Sequence, residues 1–479
     1  MLIRRSFRGF FRPPTAPRCG PRTRHDMLRN QQILRLSRLT RSHRTSPREN
    51  RAFMQPDAYR PRLYPTSVRN FVFFLAVLAM NYTLSRPSPV DLLFMLSLAL
   101  SIMVLQKVRL TFFIFFALLL LWTLSFWYAS FPFFGDPDVR QEAFKKTFVV
   151  VLGITACYVS MDWGPRQLHT FMRVYVVSCV TAAILGIVGF ALGIEALLWD
   201  GRSKGFIDDP NMYASFLVPG VVMAIYLVQQ RLWPRAALFP IIGILCLGVL
   251  LSFSRAATVS LILCCSGYMV FIYRQHLLRL LAYAAAMAVF GGIILGTTIV
   301  VSPTFTKKFE QRATLEESYD AGREGRYGRY ARSIPMILSN PVGIGINQQN
   351  LIFLEPIHNI WLSSFMNYGW LAGFSWLALI FLSVLFGLGN YRMTAHPAAV
   401  AVLVAFMAPL MCASLHEGEH WRHLWLLLGI LWGFNPARFH EEAGAKRNAV
   451  SSRSVVESMK QAIASNRRPA HNEGRTVSS

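Results

Sequence analysis

The chain has 479 residues, 53% of them hydrophobic and only 15% charged, with a mean hydropathy of +0.37; this is too apolar for a soluble enzyme and fits a polytopic membrane protein. The formal charge of +25 does not argue for nucleic acid, because more than half of it sits in the first 69 residues, where 17 Lys and Arg face 3 Asp and Glu. The seven cysteines, Cys19 apart, fall within or beside apolar runs, which points away from a disulfide framework and makes Cys264-Cys265 core packing.

Residues 1–69 lack hydrophobic periodicity and mix Arg with Pro and Ser, the pattern of a disordered basic arm. Held at an anionic lipid surface, such an arm gains about 1 kcal/mol per basic residue. An Arg-rich, acid-poor leader also resembles a transit peptide, and Met27 or Met54 is an alternative start. No short apolar run with a cleavage site precedes Phe71, so a removable signal peptide is not expected.

A membrane span needs roughly 20 apolar residues to cross about 30 Å of hydrocarbon. Runs of this kind lie at 70–86, 90–106, 110–129, 144–161, 171–193, 212–230, 236–253, 256–273, 280–301, 358–389, 398–415 and 421–436. Asn81 interrupts the first, and only 85–89 separates the first two, so a re-entrant hairpin is the alternative there. The expected fold is all-α: a transmembrane domain over 70–436 with about twelve helices, a helical lid at 302–357, and a disordered tail at 437–479. Within the lid, 319–338 is expected to form one or two interfacial helices.

Lys and Arg prefer cytoplasmic loops. The arm is basic and the segment after Asn435 carries 8 Lys and Arg against 4 acids, which puts both ends in the cytoplasm. The short basic loops 106–109, 231–235, 273–279 and 390–396 then lie inside. Outside lie 131–141, 194–211, the turn at Arg255, 302–357 and 415–421. Four polar clusters share that outer side: Gly201-Arg202-Ser203-Lys204 leading to Asp209-Pro210-Asn211, Ser252 to Arg255, Arg326 to Tyr330, and His358-Asn359.

No Asp, Glu, Lys or Arg occupies the middle third of an expected span, which argues against a carrier, since carriers place ionisable groups at the midplane. The charges crowd the rim, where a lipid-linked substrate presents its headgroup. A pyrophosphate there needs fixed cations, and Arg suits it by its planar fork and permanent charge; Arg202, Lys204, Arg255, Arg326 and Arg329 supply the set. Each has a plainer alternative. Arg255 is also what a snorkelling cap looks like, Arg326 and Arg329 share a loop with Glu316, Glu317, Asp320 and Glu324, and His358-Asn359 suits a helix cap. Gly343-x-Gly345 suits a turn better than a phosphate cradle.

His416-Glu417-Gly418-Glu419-His420 satisfies the zinc protease pattern, with His423 as a third ligand. Gly418 at its centre and its place in a short loop oppose the continuous helix that chemistry needs. A polar rim for acceptor sugar or lipid phosphates, together with plain solvation, is the preferred alternative.

These residues together resemble the O-antigen ligase and polymerase superfamily of bacterial envelope glycosyltransferases over roughly 201–373. The resemblance rests on Arg202 followed by Pro210-Asn211 and Ala214, on Ser254-Arg255-Ala256 opening a span, on Arg326 and Tyr330 ahead of Pro341, Gly343 and Gly345, and on His358-Asn359 followed by Gly369 and Gly373. The chain departs from the pattern at Asp208-Asp209, where many relatives carry Asn, and at Tyr330, often Trp.

The resemblance implies transfer of a glycan from undecaprenyl diphosphate to an acceptor hydroxyl at the periplasmic face of the inner membrane, without a nucleotide sugar; the cation set present requires neither a metal nor an organic cofactor. Ligation to lipid A core is preferred; polymerisation and transport of a lipid-linked saccharide are the alternatives. Besides these substrates the implied partners are membrane lipids, not nucleic acid. His358, with an ordinary imidazole pKa of about 6.5, is the implied proton acceptor. Arg202 and Arg255 would stabilise the departing pyrophosphate, with Lys204, Asp209, Asn211, Arg326, Arg329 and Asn359 binding substrate. Direct displacement would invert the anomeric centre.

Overall fold

The computed structural model describes residues 65–441 except 86, 105 and 314–321; the basic arm as far as residue 64, the tail beyond 441 and the start of the expected 319–338 helix fall outside these. The chain is an all-α polytopic membrane protein. In chain order, α1 (Pro65–Leu78), α2 (Pro89–Met103), α3 (Leu110–Ser130), α4 (Pro137–Ser160) and α5 (Pro165–Leu192) precede a two-stranded hairpin, β1 (Leu198–Trp199) and β2 (Arg202–Ser203). Then come α6 (Pro210–Gln229), α7 (Leu238–Leu251), α8 (Arg255–Tyr273), α9 (Leu277–Val301), α10 (Pro303–Ala313), α11 (Arg326–Ser339), α12 (Ile360–Thr394), α13 (Pro397–Ala413) and α14 (Arg422–Gly433). Many helices open on proline, whose missing N–H and fixed φ cost nothing at the first helical position.

All twelve apolar runs fall on helices, but they are not equally long. Among the described residues seven helices are long and apolar enough to cross a membrane: α3 (through Phe133), α4, α5, α6, α8, α9 and α12. The shorter partners include α2 and α13, and α7 reaches comparable length only with its lead-in from Arg235. The arm boundary also shifts. Arg69 already belongs to α1, is buried, and donates from Nη2 to Asp162 Oδ2 at 2.8 Å.

Helix α6 is the bundle's centre, 94% buried over its apolar window, whereas α9 is wholly peripheral. Helices α4 and α14 run parallel and touch through small residues: a Cβ on Gly429 would overlap the Gly153 carbonyl, and one on Gly433 would overlap the Ser160 hydroxyl. Such small-residue seams let apolar helices approach closely where lipid supplies no hydrophobic drive.

Helix α12 is interrupted at Gly369 (φ 84°). Into that break the lid threads its own backbone: Ile344 N donates to Met366 O at 2.9 Å, Gly345 N to Asn367 O at 2.9 Å, and Trp370 N to Pro341 O at 2.8 Å. Gly343 (φ 90°) lies so close that a Cβ there would come within 2.5 Å of Gly369 N. The glycines around 343 and 345 therefore build a backbone crossing, not an isolated turn.

Candidate functional site

Four short connections and one helix end meet at one end of the bundle. The first is the hairpin. Its turn residues Asp200 (φ 49°) and Gly201 (φ 63°) both adopt left-handed geometry, as a two-residue turn of this twist requires, and this fixes Arg202. Arg202 Nε donates to Ser252 O at 2.8 Å and its Nη2 to Asn211 Oδ1 at 2.8 Å. Asn211 in turn donates from Nδ2 to Asp209 Oδ1 at 3.2 Å.

Asp209 caps α6, accepting from Asn211 N at 3.0 Å and Met212 N at 3.2 Å. Burial lifts its carboxyl above the usual range, against the pull of Arg202 and of those backbone donors. The acid that looks misplaced beside an anion site is thus committed to a helix N-terminus, where a carboxylate is stabilising.

Ser254 caps α8, accepting from Ala257 N at 3.5 Å, and Arg255 is that helix's first residue. Arg326 likewise opens α11. Asn359 caps α12, accepting from Trp361 N and Leu362 N at 3.0 Å each. His358 before it is held at φ 52°, a rare backbone region for a non-glycine residue, and its carbonyl accepts from the Tyr330 hydroxyl at 3.1 Å.

These pieces enclose a cavity of about 870 Å³. Its wall includes Arg202, Asp209, Asn211, Arg255, Arg326 and His358. Three expected binding residues do not line it. Lys204 lies past the end of the hairpin, with its backbone N donating to Leu197 O at 3.1 Å. Arg329 is only 1% exposed and pairs with Glu355 at 2.9 Å, tying α11 to the segment before α12. Asn359 spends its side chain as a cap.

Two features of the cavity go further than the sequence reading. Arginines open α8 and α11, although the N-terminal end of a helix dipole disfavours cations and favours anions. Guanidinium groups and helix N-termini therefore point the same sign of potential into one space, which suits an anion. The second is the α13–α14 connection, which contributes His416, Glu417, His420 and Trp421 to the wall.

That connection does not form the helix a zinc protease pattern needs. Gly418–His420 is a single turn of 3-10 helix, Glu419 turns inward, and His423 Nε2 is bonded to Ser215 Oγ at 2.7 Å. Among the described residues no group of three or more His, Cys, Asp or Glu is arranged to hold a metal ion. Glu419 is 3% exposed and meets Lys146 Nζ at 2.7 Å, with the hydroxyls of Ser363 and Tyr368 also donating to it. The only sequence signal for this buried pair is a lysine just inside an apolar run.

Burial together with Arg329 and Arg326 lowers His358 to about 4. Burial and Arg326 take His416, its ring 6.4 Å from that of His358, down to about 3. Both imidazoles are neutral at pH 7. Burial first, and then the neighbouring guanidiniums, hold His358 below the ordinary imidazole basicity expected of it.

The family model described as Wzy_C, O-antigen ligase, matches residues 240–377. This span contains Arg255, Arg326, His358 and the whole lid, while Arg202 precedes it. The match supports the O-antigen ligase superfamily and glycan transfer in O-antigen-type synthesis. No curated protein matches the chain.

Proposed function

Taking the O-antigen ligase match as premise, we propose that the protein transfers a glycan from undecaprenyl diphosphate to a hydroxyl of lipid A core, at the periplasmic face of the inner membrane and without a metal. The observation that carries this reading is the convergence of Arg202, Arg255, Arg326 and His358, from separate segments, on one cavity at the end of the bundle. Loop charge supports the orientation, with both termini cytoplasmic and the cavity outward.

The chemistry is electrostatic. As the anomeric C–O bond breaks, negative charge accumulates on the pyrophosphate oxygens. Preorganised guanidiniums and helix N-termini stabilise that charge more than they stabilise the ground state. Asp209 and Asn211 hold Arg202 in place through the hydrogen bonds described above. A diphosphate would offset the arginine neighbours that, with burial, hold His358 low, which suits the imidazole to donate a hydrogen bond to a phosphate oxygen. Arg329 acts through Glu355 as a support for the lid. Attack from the face opposite the leaving group inverts the anomeric centre.

Transport of the same lipid is less well supported. Beneath the cavity α6 is buried almost throughout, and Trp122, Trp376 and Trp425 pack together in the core. The test is a cell lacking the gene, analysed for surface glycan on gels. Polymer lost from lipid A but retained on the carrier is the expected result. Single repeat units on lipid A would instead identify a polymerase, and normal glycan would remove the proposal.

A further inference from the structure

The cavity lining carries two chemistries: the guanidinium groups of Arg202, Arg255 and Arg326, and, from the α13–α14 connection, Glu417, His420 and Trp421 together with His416. An anion seated on the arginines leaves the uncharged, hydroxyl-bearing part of a substrate facing a carboxylate and an indole. A carboxylate accepts from hydroxyls and an indole covers the C–H face of a sugar ring. Resting on the function proposed above, we propose that Glu417 is a catalytic residue: it takes the proton of the acceptor hydroxyl as that oxygen attacks the anomeric carbon.

Geometry supports this in three ways. Glu417 Oε1 accepts from Gln349 Nε2 at 2.7 Å, which leaves the other oxygen for a ligand. Gln349, on the short 3-10 turn Gln348–Leu351, is 6% exposed, and its Oε1 has no hydrogen-bond partner among the described residues. A buried amide whose side-chain hydrogen bond goes to one carboxylate serves to orient it. Two residues on from Glu417, Glu419 pairs with Lys146, and Glu142 Oε1 lies 3.6 Å from Lys146 Nζ.

The charges around Glu417 fit the role. Burial first, then Glu419 and more weakly Glu142, raise its carboxyl to about 7, against the pull of Lys146 and Gln349. The imidazoles of His358 and His416 are buried, His358 beside Arg329 and Arg326 and His416 beside Arg326, Arg202 and Arg255, and both are far less basic. A base is most effective when its pKa lies near the working pH, and of these three groups Glu417 alone meets that condition. The step balances. The acceptor oxygen bonds to the anomeric carbon, the bond to pyrophosphate breaks with its electron pair staying on the phosphate oxygen, and the hydroxyl proton passes to the Glu417 carboxylate and then to water.

The test uses the full-length protein in nanodiscs, with lipid extract from cells lacking the gene as donor source and rough lipopolysaccharide as acceptor. Binding of undecaprenyl diphosphate is measured alongside transfer. The unaltered protein should lose activity as pH falls through about 7, when the carboxylate becomes protonated. Glu417→Gln should bind undecaprenyl diphosphate as well as the unaltered protein, turn over at least about 100-fold more slowly and lose that acidic limb, while Glu417→Asp should keep the limb at a reduced rate. Glu417→Gln transferring at the normal rate with the same pH profile would overturn the inference and leave the function standing. Equal loss of transfer and of undecaprenyl diphosphate binding would likewise overturn it, by showing a structural role. An unaltered protein that binds the carrier but transfers nothing would remove the proposed function itself, and this inference with it.

Discussion

The two ends of the helix bundle treat arginine in opposite ways. At the end away from the cavity, Arg109 Nη2 donates to the carbonyls of Gly433 and Phe434 at 2.9 Å each, at the C-terminus of α14, and Arg392 lies in the last turn of α12. There the helix dipole attracts a cation, and the guanidinium completes backbone groups that have no partner in the helix. At the cavity end Arg255 and Arg326 stand on the first residues of α8 and α11, where the dipole repels them. Arg109 at the first end completes a helix terminus; at the second, the helix dipole works against Arg255 and Arg326, and on the proposed function a bound anion would offset that repulsion.

Substitutions can break or sharpen this contrast. The largest effect is expected from Lys146→Met, which leaves the Glu419 carboxylate buried beside an apolar side chain; such broken pairs cost about 3–5 kcal/mol, read as the loss of unfolding free energy in detergent. Its companion Lys146→Met/Glu419→Gln should recover much of that loss. Next, Arg255→Ala or Arg202→Ala should slow glycan transfer about 100- to 1000-fold while membrane insertion stays normal. Transfer at the normal rate in both would remove the cationic wall from the mechanism.

Arg109→Ala should do the reverse, costing about 1.5–3 kcal/mol of stability with transfer per folded molecule unchanged. The smallest effect is the most telling. Arg255→Ala should stabilise the empty protein by about 0.3–1 kcal/mol, and added pyrophosphate should raise the melting temperature of the unaltered protein more than that of the variant. A destabilised Arg255→Ala protein would mean that this arginine is a structural cap like Arg109.

The helices were legible because apolar runs of sufficient length have few alternatives to a helix in lipid. Where length failed, as in the twelve-residue α14, composition alone did not separate a short packed helix from a span. The cavity's arginines were legible as a group because each sits at a break between apolar runs on one inferred side. Side-chain direction was not. Arg326 and Arg329 are one turn apart on α11, yet one lines the cavity and the other is turned to Glu355, a partner 26 residues on. Asn359 read equally well as cap or ligand, and only the positions of Trp361 N and Leu362 N decide. Lys146 and Glu419 are 273 residues apart in sequence, so no local pattern joins them, and Glu417 was noticed only as part of a cluster read as a zinc pattern or a polar rim, with no role of its own.

The crossing of the lid backbone over the break in α12 acts as a fulcrum. Arg326 rides on the arm before Gly343, and His358 on the arm between that crossing and Gly369, so neither arm can swing without loading the same three main-chain hydrogen bonds. One added methyl group at position 343 or 369 would therefore displace a guanidinium and an imidazole together, although neither glycine lines the cavity.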